Sequence, residues 1–206
     1  MIMIFFSHKT LAQDEKIFRE LLTFGEKEKK NQLKDLKKAG KWVIHSKVHL
    51  LDLNDDGLPE GLYFTYRDGI PWISVLDANN RLVFESSMQI KGFGAKPYKI
   101  NIVNLSSKVK LLLIHFYEGA ISYLGFHGTA RAYFLTIDHQ DLESIFFYSG
   151  PQFFEEVEEG KEHYHQRQYS MKIEDFNQDG IKDVMISYKS IHYTYFYLGR
   201  GNWKVL

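Results

Sequence analysis

The sequence predicts a mainly β protein built of repeated units, with a helical segment ahead of them, and three observations carry that expectation. From residue 42 onward, short runs rich in Val, Ile, Tyr, Phe and Trp are punctuated by Gly, Asn and Asp, the composition of strands joined by tight turns. Aromatic side chains make up 16% of the chain, with 13 Tyr and 16 Phe against 3 Trp, and such rings pack well on a pleated surface. One acidic stretch also occurs twice, as Asp52-Leu53-Asn54-Asp55-Asp56-Gly57 and Asp175-Phe176-Asn177-Gln178-Asp179-Gly180, each time ahead of an apolar run. Self-similarity of that kind marks an internal repeat.

Taken in order, the chain opens on an apolar run at 1–6, and Thr10-Leu11-Ala12 precedes the charged Gln13-Asp14-Glu15-Lys16. A secretory leader has an apolar stretch of roughly 7–15 residues followed by small residues at the cut, so residues 1–12 read as a signal-peptide remnant. The segment 13–40 has a helical pattern: Ile17, Phe18, Leu21 and Leu22 share a face, Leu33 and Leu36 resume it beyond Gly25, and Ala39-Gly40 stops it. Strands are expected at 42–51, 61–66, 72–76, 81–85, 98–103, 110–117, 120–126, 131–138, 144–148, 170–174, 184–189, 193–198 and 203–206. Asp77-Ala78-Asn79-Asn80 and Gly199-Arg200-Gly201-Asn202 have hairpin composition. The acidic, His-containing stretch 155–166 reads as a surface loop.

The runs that follow the two acidic stretches also match, and midway the residues from Lys110 to Gly119 resemble those from Glu60 to Gly69. Three repeats follow, at about 42–97, 98–150 and 168–206, the second degenerate, within a β-repeat domain spanning 41–206. Each strong copy reads D-x-N-x-D-G-x-x-[DE]. Calcium is a hard ion that takes about six to eight oxygens, and a tight loop can aim side chains from its first, third and fifth positions at one point. In the first loop these are Asp52, Asn54 and Asp56; Gly57 sits where the chain turns sharply, the carbonyl of Leu58 would point inward, and Glu60 closes the site from position nine. In the second the same roles fall to Asp175, Asn177, Asp179, Gly180, the carbonyl of Ile181, and Asp183. A helix-loop-helix calcium motif would need a carboxylate at position twelve, where this chain has Tyr63 and Ile186. In the degenerate copy the ligand positions fall on Ile102, Asn104, Ser106 and Lys110. An ammonium then stands where an ion would need an oxygen, so two structural calcium ions are expected per chain and no third.

These loops resemble the FG-GAP/VCBS repeat, whose D-x-[DN]-x-[DN]-G-x-x-D calcium loop precedes a strand in β-propeller blades of integrin-like and bacterial surface proteins. The match covers 47–66 and 171–188 well and 100–117 poorly. Glu60 replaces the usual Asp, the FG-GAP tetrapeptide is missing, and three repeats are fewer than a closed ring uses. The resemblance implies three propeller-blade-like antiparallel β repeats, a partial or small propeller, with calcium as a structural ion.

Composition narrows the rest. Lys plus Arg equals Asp plus Glu at 26 each, so no global field draws the chain to nucleic acid. There is no cysteine, which removes disulfides and thiolate metal sites, and no run approaches the ~20 apolar residues of a membrane span. Glu162-His163-Tyr164-His165 supplies two imidazoles without further spaced ligands, His45 and His49 fall on one polar face of a strand, and Glu155, Glu156, Glu158 and Glu159 read as a solvated charge run. No nucleophile elbow, phosphate loop or dinucleotide fingerprint is present.

The expected function is that of a calcium-binding, exported β-repeat protein, periplasmic, cell-surface or secreted, that serves as a binding or surface-structural module rather than an enzyme. Sites of the weak extracellular class fill only where calcium is abundant. A protein or glycan partner would meet Tyr193, Tyr195 and Tyr197, which alternate with Phe196 and Leu198 and are expected on the exposed face while those two are buried. The alternatives are a secreted hydrolase that uses carboxylates or calcium, and a small inhibitor or accessory subunit docking through the helix at 13–40.

Overall fold

The computed structural model describes residues 48–89, 96–122, 125–159 and 163–206, all within the compact unit Trp42–Leu206. The leader at 1–12, the helical segment at 13–40 and His45 lie outside the described residues. Among those described, the regular structure is entirely strand, and no helix is long and apolar enough to cross a membrane.

Three antiparallel sheets follow one another along the chain. The first holds β1 (His49–Leu51), β2 (Glu60–Arg67), β3 (Ile70–Leu76) and β4 (Leu82–Ser87). The central sheet holds β5 (Lys96–Asn104), β6 (Val109–Ser122), β7 (Gly125–Asp138), β8 (Ile145–Glu159) and β9 (His163–Gln168). The last holds β10 (Ser170–Glu174), β11 (Asp183–Tyr188), β12 (Ile191–Gly199) and β13 (Asn202–Val205). Each is a meander, so chain neighbours are also sheet neighbours. Turn chemistry explains the tight corners. Asp68-Gly69 between β2 and β3 has φ of 52° and 77°, and Arg200-Gly201 between β12 and β13 has 51° and 71°, the left-handed pairs that match strand twist. In the expected hairpin at 77–80, Asp77 Oδ1 accepts the amides of Asn79 at 2.9 Å and Arg81 at 2.8 Å.

The central sheet departs from expectation in two places. Residues 110–117 and 120–126, expected as two strands, are largely the single strand β6, which pairs with β7 without interruption from Val109 opposite Asp138 to Ser122 opposite Gly125. Residues 155–166, expected as a loop, supply the end of β8 and the start of β9, paired from Phe154 opposite Gln168 to Glu159 opposite His163. The acidic run there is not solvated throughout. Glu156 is 1% exposed and accepts the hydroxyls of Tyr117 at 2.6 Å and Tyr164 at 2.7 Å. Burying a carboxylate is costly unless donors compensate, and here they come from two other strands, Tyr117 in β6 and Tyr164 in β9, as hydroxyls that a local charge pattern does not count.

The central sheet is covered on both faces. Leu62, Phe64, Ile73 and Val75 of the first sheet pack on Leu112, Ile114, Phe116, Tyr133, Leu135 and Ile137. On the opposite face Leu111, Leu113, Ala132 and Phe134 meet Val184, Tyr197 and the partly buried Tyr195 and Trp203 of the last sheet. Successive side chains of a strand point to opposite faces, so β6 is apolar in both parities and buried from Val109 to Tyr117.

The same alternation bears on how the three sheets face one another. Counted from Glu60 and Asp183, which end the two acidic loops, the first sheet turns Leu62 and Phe64 inward, the second and fourth residues, whereas the last sheet buries Val184 and Ile186, the first and third. Sheets stacked in chain order behave this way, since each gives one face to the sheet before it and the other to the sheet after. The central sheet obeys the same rule when Val109, and not Lys110, is matched with Glu60: Leu111 and Leu113 then face the last sheet as Leu62 and Phe64 face the central one. The sequence alignment of Lys110 with Glu60 is therefore one residue out in facing, and a slip of one sends every side chain to the opposite face. Lys110 shares the parity of Leu112 and points toward the first sheet.

Candidate metal centres

The two acidic loops are the connections β1 to β2 and β10 to β11, and they fold alike. Each places its fourth residue in the left-handed region, Asp55 at φ 61° and Gln178 at 63°, and its glycine likewise, Gly57 at 81° and Gly180 at 85°. A residue free of Cβ takes that conformation at little cost. In both, the carboxylates fold back onto main-chain amides. Asp52 Oδ2 accepts the amide of Gly57 at 3.1 Å, and Asp175 Oδ2 that of Gly180 at 2.9 Å. Asn54 Oδ1 accepts the amide of Asp56 and Asn177 Oδ1 that of Asp179, at 3.2 and 3.1 Å. Asp56 Oδ1 accepts the amide of Leu58 and Asp179 Oδ1 that of Ile181, at 2.7 and 2.8 Å. These bonds between near neighbours explain why two stretches so far apart in the chain reach one shape.

The ninth residue closes each loop from below. Glu60 and Asp183 begin β2 and β11 and are both 0% exposed. Glu60 Oε2 accepts the amide of Leu53 at 2.7 Å and Asp183 Oδ2 that of Phe176 at 3.2 Å, while Glu60 Oε1 and Asp183 Oδ1 are buried without a hydrogen-bond partner. Burial raises both carboxyl pKa values above their ordinary range, and the charges of Asp52 and Asp56 at one site, and of Asp175 and Asp179 at the other, push the same way. The three carboxylates at the expected ligand positions of each loop thus lie close enough to repel one another, and one buried oxygen per loop lacks a donor. Among the described residues no three His, Asp or Glu side chains are gathered in direct metal-ligating geometry; the loops' carboxylates are engaged with their own amides.

The corresponding turn of the central sheet, between β5 and β6, is shorter and closes through the amides of Leu105 and Ser106 on the carbonyl of Val109. Lys110, expected to block a third site in its own loop, instead extends into the first one. Its Nζ donates to the carbonyl of Asp52 at 2.9 Å and to Asp55 Oδ1 at 2.6 Å, and the ammonium holds the Asp55 carboxyl below its usual range. Gln140, in the turn after β7, donates to Asp55 Oδ2 at 3.1 Å. The second loop touches the central sheet at its exit, where the amide of Lys182 donates to the carbonyl of Leu105 at 2.9 Å. The only local hint of these contacts is one lysine inside the apolar run Val109 to Leu113.

The expected tyrosine face is reversed at Tyr197 and Leu198, while Tyr193 is exposed as expected. Tyr197 is 1% exposed, Tyr195 is half-buried and Tyr193 is 45% exposed, whereas Leu198 is 64% exposed and Phe196 is half-buried. Aliphatic character pointed to burying Leu198, but the other parity carries hydroxyls that find partners inside. Tyr197 donates to Asp138 Oδ1 at 2.5 Å and accepts the amide of Gly201 at 3.0 Å, and burial pushes its pKa up to about 12. Tyr193 and Tyr195 line a shallow cleft of about 370 Å³ with Arg131, Gln152 and Tyr169.

Other titratable groups read as structural. His115 is 8% exposed among Tyr98 and Phe153, and burial, assisted by Lys99, lowers its pKa to about 4. Ser187 Oγ and His192 Nδ1 lie 2.9 Å apart across β11 and β12, but among the described residues no carboxylate orients the ring as nucleophile activation requires. His165 is exposed, and His49 packs edge-on against Phe64. No family model, no curated protein and no solved structure matches the chain.

Proposed function

We propose that this chain binds two structural calcium ions, one per acidic loop, within an exported repeat protein of propeller-blade-like sheets that acts as a binding or surface module. The observation that carries the reading is the paired orphan oxygen. Glu60 Oε1 and Asp183 Oδ1 are buried without donors, at equivalent places in two loops of one backbone conformation. A buried anionic oxygen with no donor is costly, and a hard cation removes that cost while relieving the repulsion from the neighbouring aspartates. The residues that would hold the ions are Asp52, Asn54, Asp56, Glu60 and the Leu58 carbonyl in the first loop, and Asp175, Asn177, Asp179, Asp183 and the Ile181 carbonyl in the second. Water completes the shell at such sites. Ligand sets of this kind, built on exposed loops, suit the weak calcium class of extracellular modules, which supports export. The cleft beside Tyr193 and Tyr195 offers aromatic and amide contact to a protein or glycan partner.

Calorimetric titration tests the reading: two ions per chain are expected, falling to one in Asp56→Ala and to one in Asp179→Ala. At ten times the dissociation constant each site adds about 1.4 kcal/mol to stability. Identical melting midpoints with calcium and with chelator would overturn it.

A further inference from the structure

We propose that Lys110 is a built-in cation that holds the first loop closed without metal, so that calcium removal acts first on the second loop and on the last sheet, whose first two strands it joins. The first half of this proposal stands on the contacts alone; the second half rests on the calcium reading above.

The two loops share a backbone but not a setting. The first carries one carboxylate more than the second, because position four is Asp55 in one and Gln178 in the other. Asp55 sits in the left-handed region, which costs a non-glycine residue free energy unless its surroundings hold it. Those surroundings are specific. The Lys110 side chain is 7% exposed, and its ammonium bridges the Asp52 carbonyl and the Asp55 carboxylate, whose second oxygen takes the Gln140 amide. Three hydrogen bonds from the central sheet therefore pin both the start and the apex of the first loop. Gln178, at the matching φ, is exposed, and among the described residues no hydrogen bond from its side chain ties it to another element. Among the described residues the second loop's one hydrogen bond to the central sheet, from the Lys182 amide, lies beyond its apex at the entry to β11.

An ammonium buried against a carbonyl and a carboxylate supplies part of what a metal ion would: positive charge among acidic side chains, and a fixed anchor for a main-chain oxygen. It does so permanently. The first loop should stay formed in chelator, whereas the second, with three carboxylates near one another and, among the described residues, no cation bonded to it from another sheet, should open. The second loop joins the edge strand β10 to β11, so its opening loosens the edge of the last sheet. The proximity of Lys110 to the first loop also makes that loop's closure depend on the central sheet being folded.

Amide hydrogen exchange of segments 52–60 and 175–183 in the full chain, in chelator and in calcium chloride, tests this. In chelator the second loop should exchange about tenfold faster than the first, a size typical of local opening that is lost when one tether goes. Lys110→Met should remove the difference by speeding the first loop alone. Because Lys110 is buried and its replacement could perturb folding, Asp55→Asn at the exposed end of the pair is the second variant and should act in the same direction. Calcium should restore protection to the first loop of both variants. Unchanged exchange of the first loop in Asp55→Asn and Lys110→Met would overturn the role of Lys110. If calcium protects neither loop of the natural chain, the calcium reading falls and the second half of this proposal with it, while faster exchange of the first loop in the two variants would still establish the tether.

Discussion

The first and last sheets are entered through loops of one backbone and one hydrogen-bond pattern, yet they are attached to the central sheet by different chemistry. The first is sealed by Leu62, Phe64, Ile73 and Val75, apolar side chains with little to satisfy but volume. The last is sealed by Val184 together with Tyr195, Tyr197 and Trp203, and Tyr197 adds directional bonds to Asp138 and Gly201. The difference separates two levels of control. Loop shape is set within nine residues by side chains folding onto their own amides, so it survives a change of setting. Attachment is set by whichever faces meet across the stack, and each sheet is free to solve it with its own residues.

The comparison can be broken most forcefully at the apolar seam. Phe64→Ala should cost about 3–5 kcal/mol, because Phe64 is 2% exposed and its cavity is walled by Phe116 and other buried side chains; a loss under 1 kcal/mol by denaturant unfolding would show that the first sheet is not held this way. At the polar seam, Tyr197→Phe keeps the ring but strips Asp138 of a buried donor and the Gly201 amide of its acceptor, for an expected loss of about 1–3 kcal/mol. Tyr193→Phe, at the exposed end of the same strand, should change stability by less than about 0.5 kcal/mol, and equal effects at the two positions would restore the expectation of an exposed tyrosine row.

The likeness of the loops is tested by their glycines. At φ of 81° and 85°, with open space around each position, Gly57→Val and Gly180→Val suffer backbone strain without a clash, and each should lose about 1–2 kcal/mol in calcium chloride, where both loops are formed. Unequal losses would mean that the two backbones are not equivalent.

The smallest expected effects have a revealing sign. Glu60→Gln and Asp183→Asn remove a buried charge, so each should stabilise the chelated protein, by about 1 kcal/mol, while abolishing one calcium site. Acidification should act in the same direction. A carboxyl whose pKa is raised by folding binds its proton more readily in the folded than in the unfolded state, so the chelated protein gains stability as pH falls through the raised pKa toward the ordinary one. The calcium-loaded protein should lose stability over the same window, since the ligands must be ionised. Melting curves with and without chelator between pH 7 and 4 would show the two trends diverging; parallel curves would remove these two groups from the account.

Much of this was legible in the residues. Strand texture and turn chemistry placed most strands, and the residues from Ser170 to Glu174 form β10 at the expected bounds. The loops could be read because their geometry is made by bonds between residues a few positions apart. What could not be read depends on partners far along the chain. The burial of Glu156 requires Tyr117, the tether requires Lys110 to reach Asp52 and Asp55 in another sheet, and the inward turn of Tyr197 requires Asp138. Local hydropathy ranks Leu198 above Tyr197 for burial, and only the arrangement of sheets reverses that order. The one-residue error in matching Lys110 with Glu60 has the same origin: β6 is apolar in both parities, so its pattern does not announce which face belongs to which neighbour.

That double apolarity has a consequence during synthesis. The first sheet leaves the ribosome before the central one, so the face of β6 and β7 bearing Leu112, Ile114 and Leu135 can be covered as soon as it forms. The opposite face, with Leu111, Leu113, Ala132 and Phe134, stays wet until the C-terminal sheet arrives. An unfinished or truncated chain therefore carries a long, sticky ladder of the kind that recruits holding chaperones and seeds aggregates, and the last four strands serve as its lid against self-association.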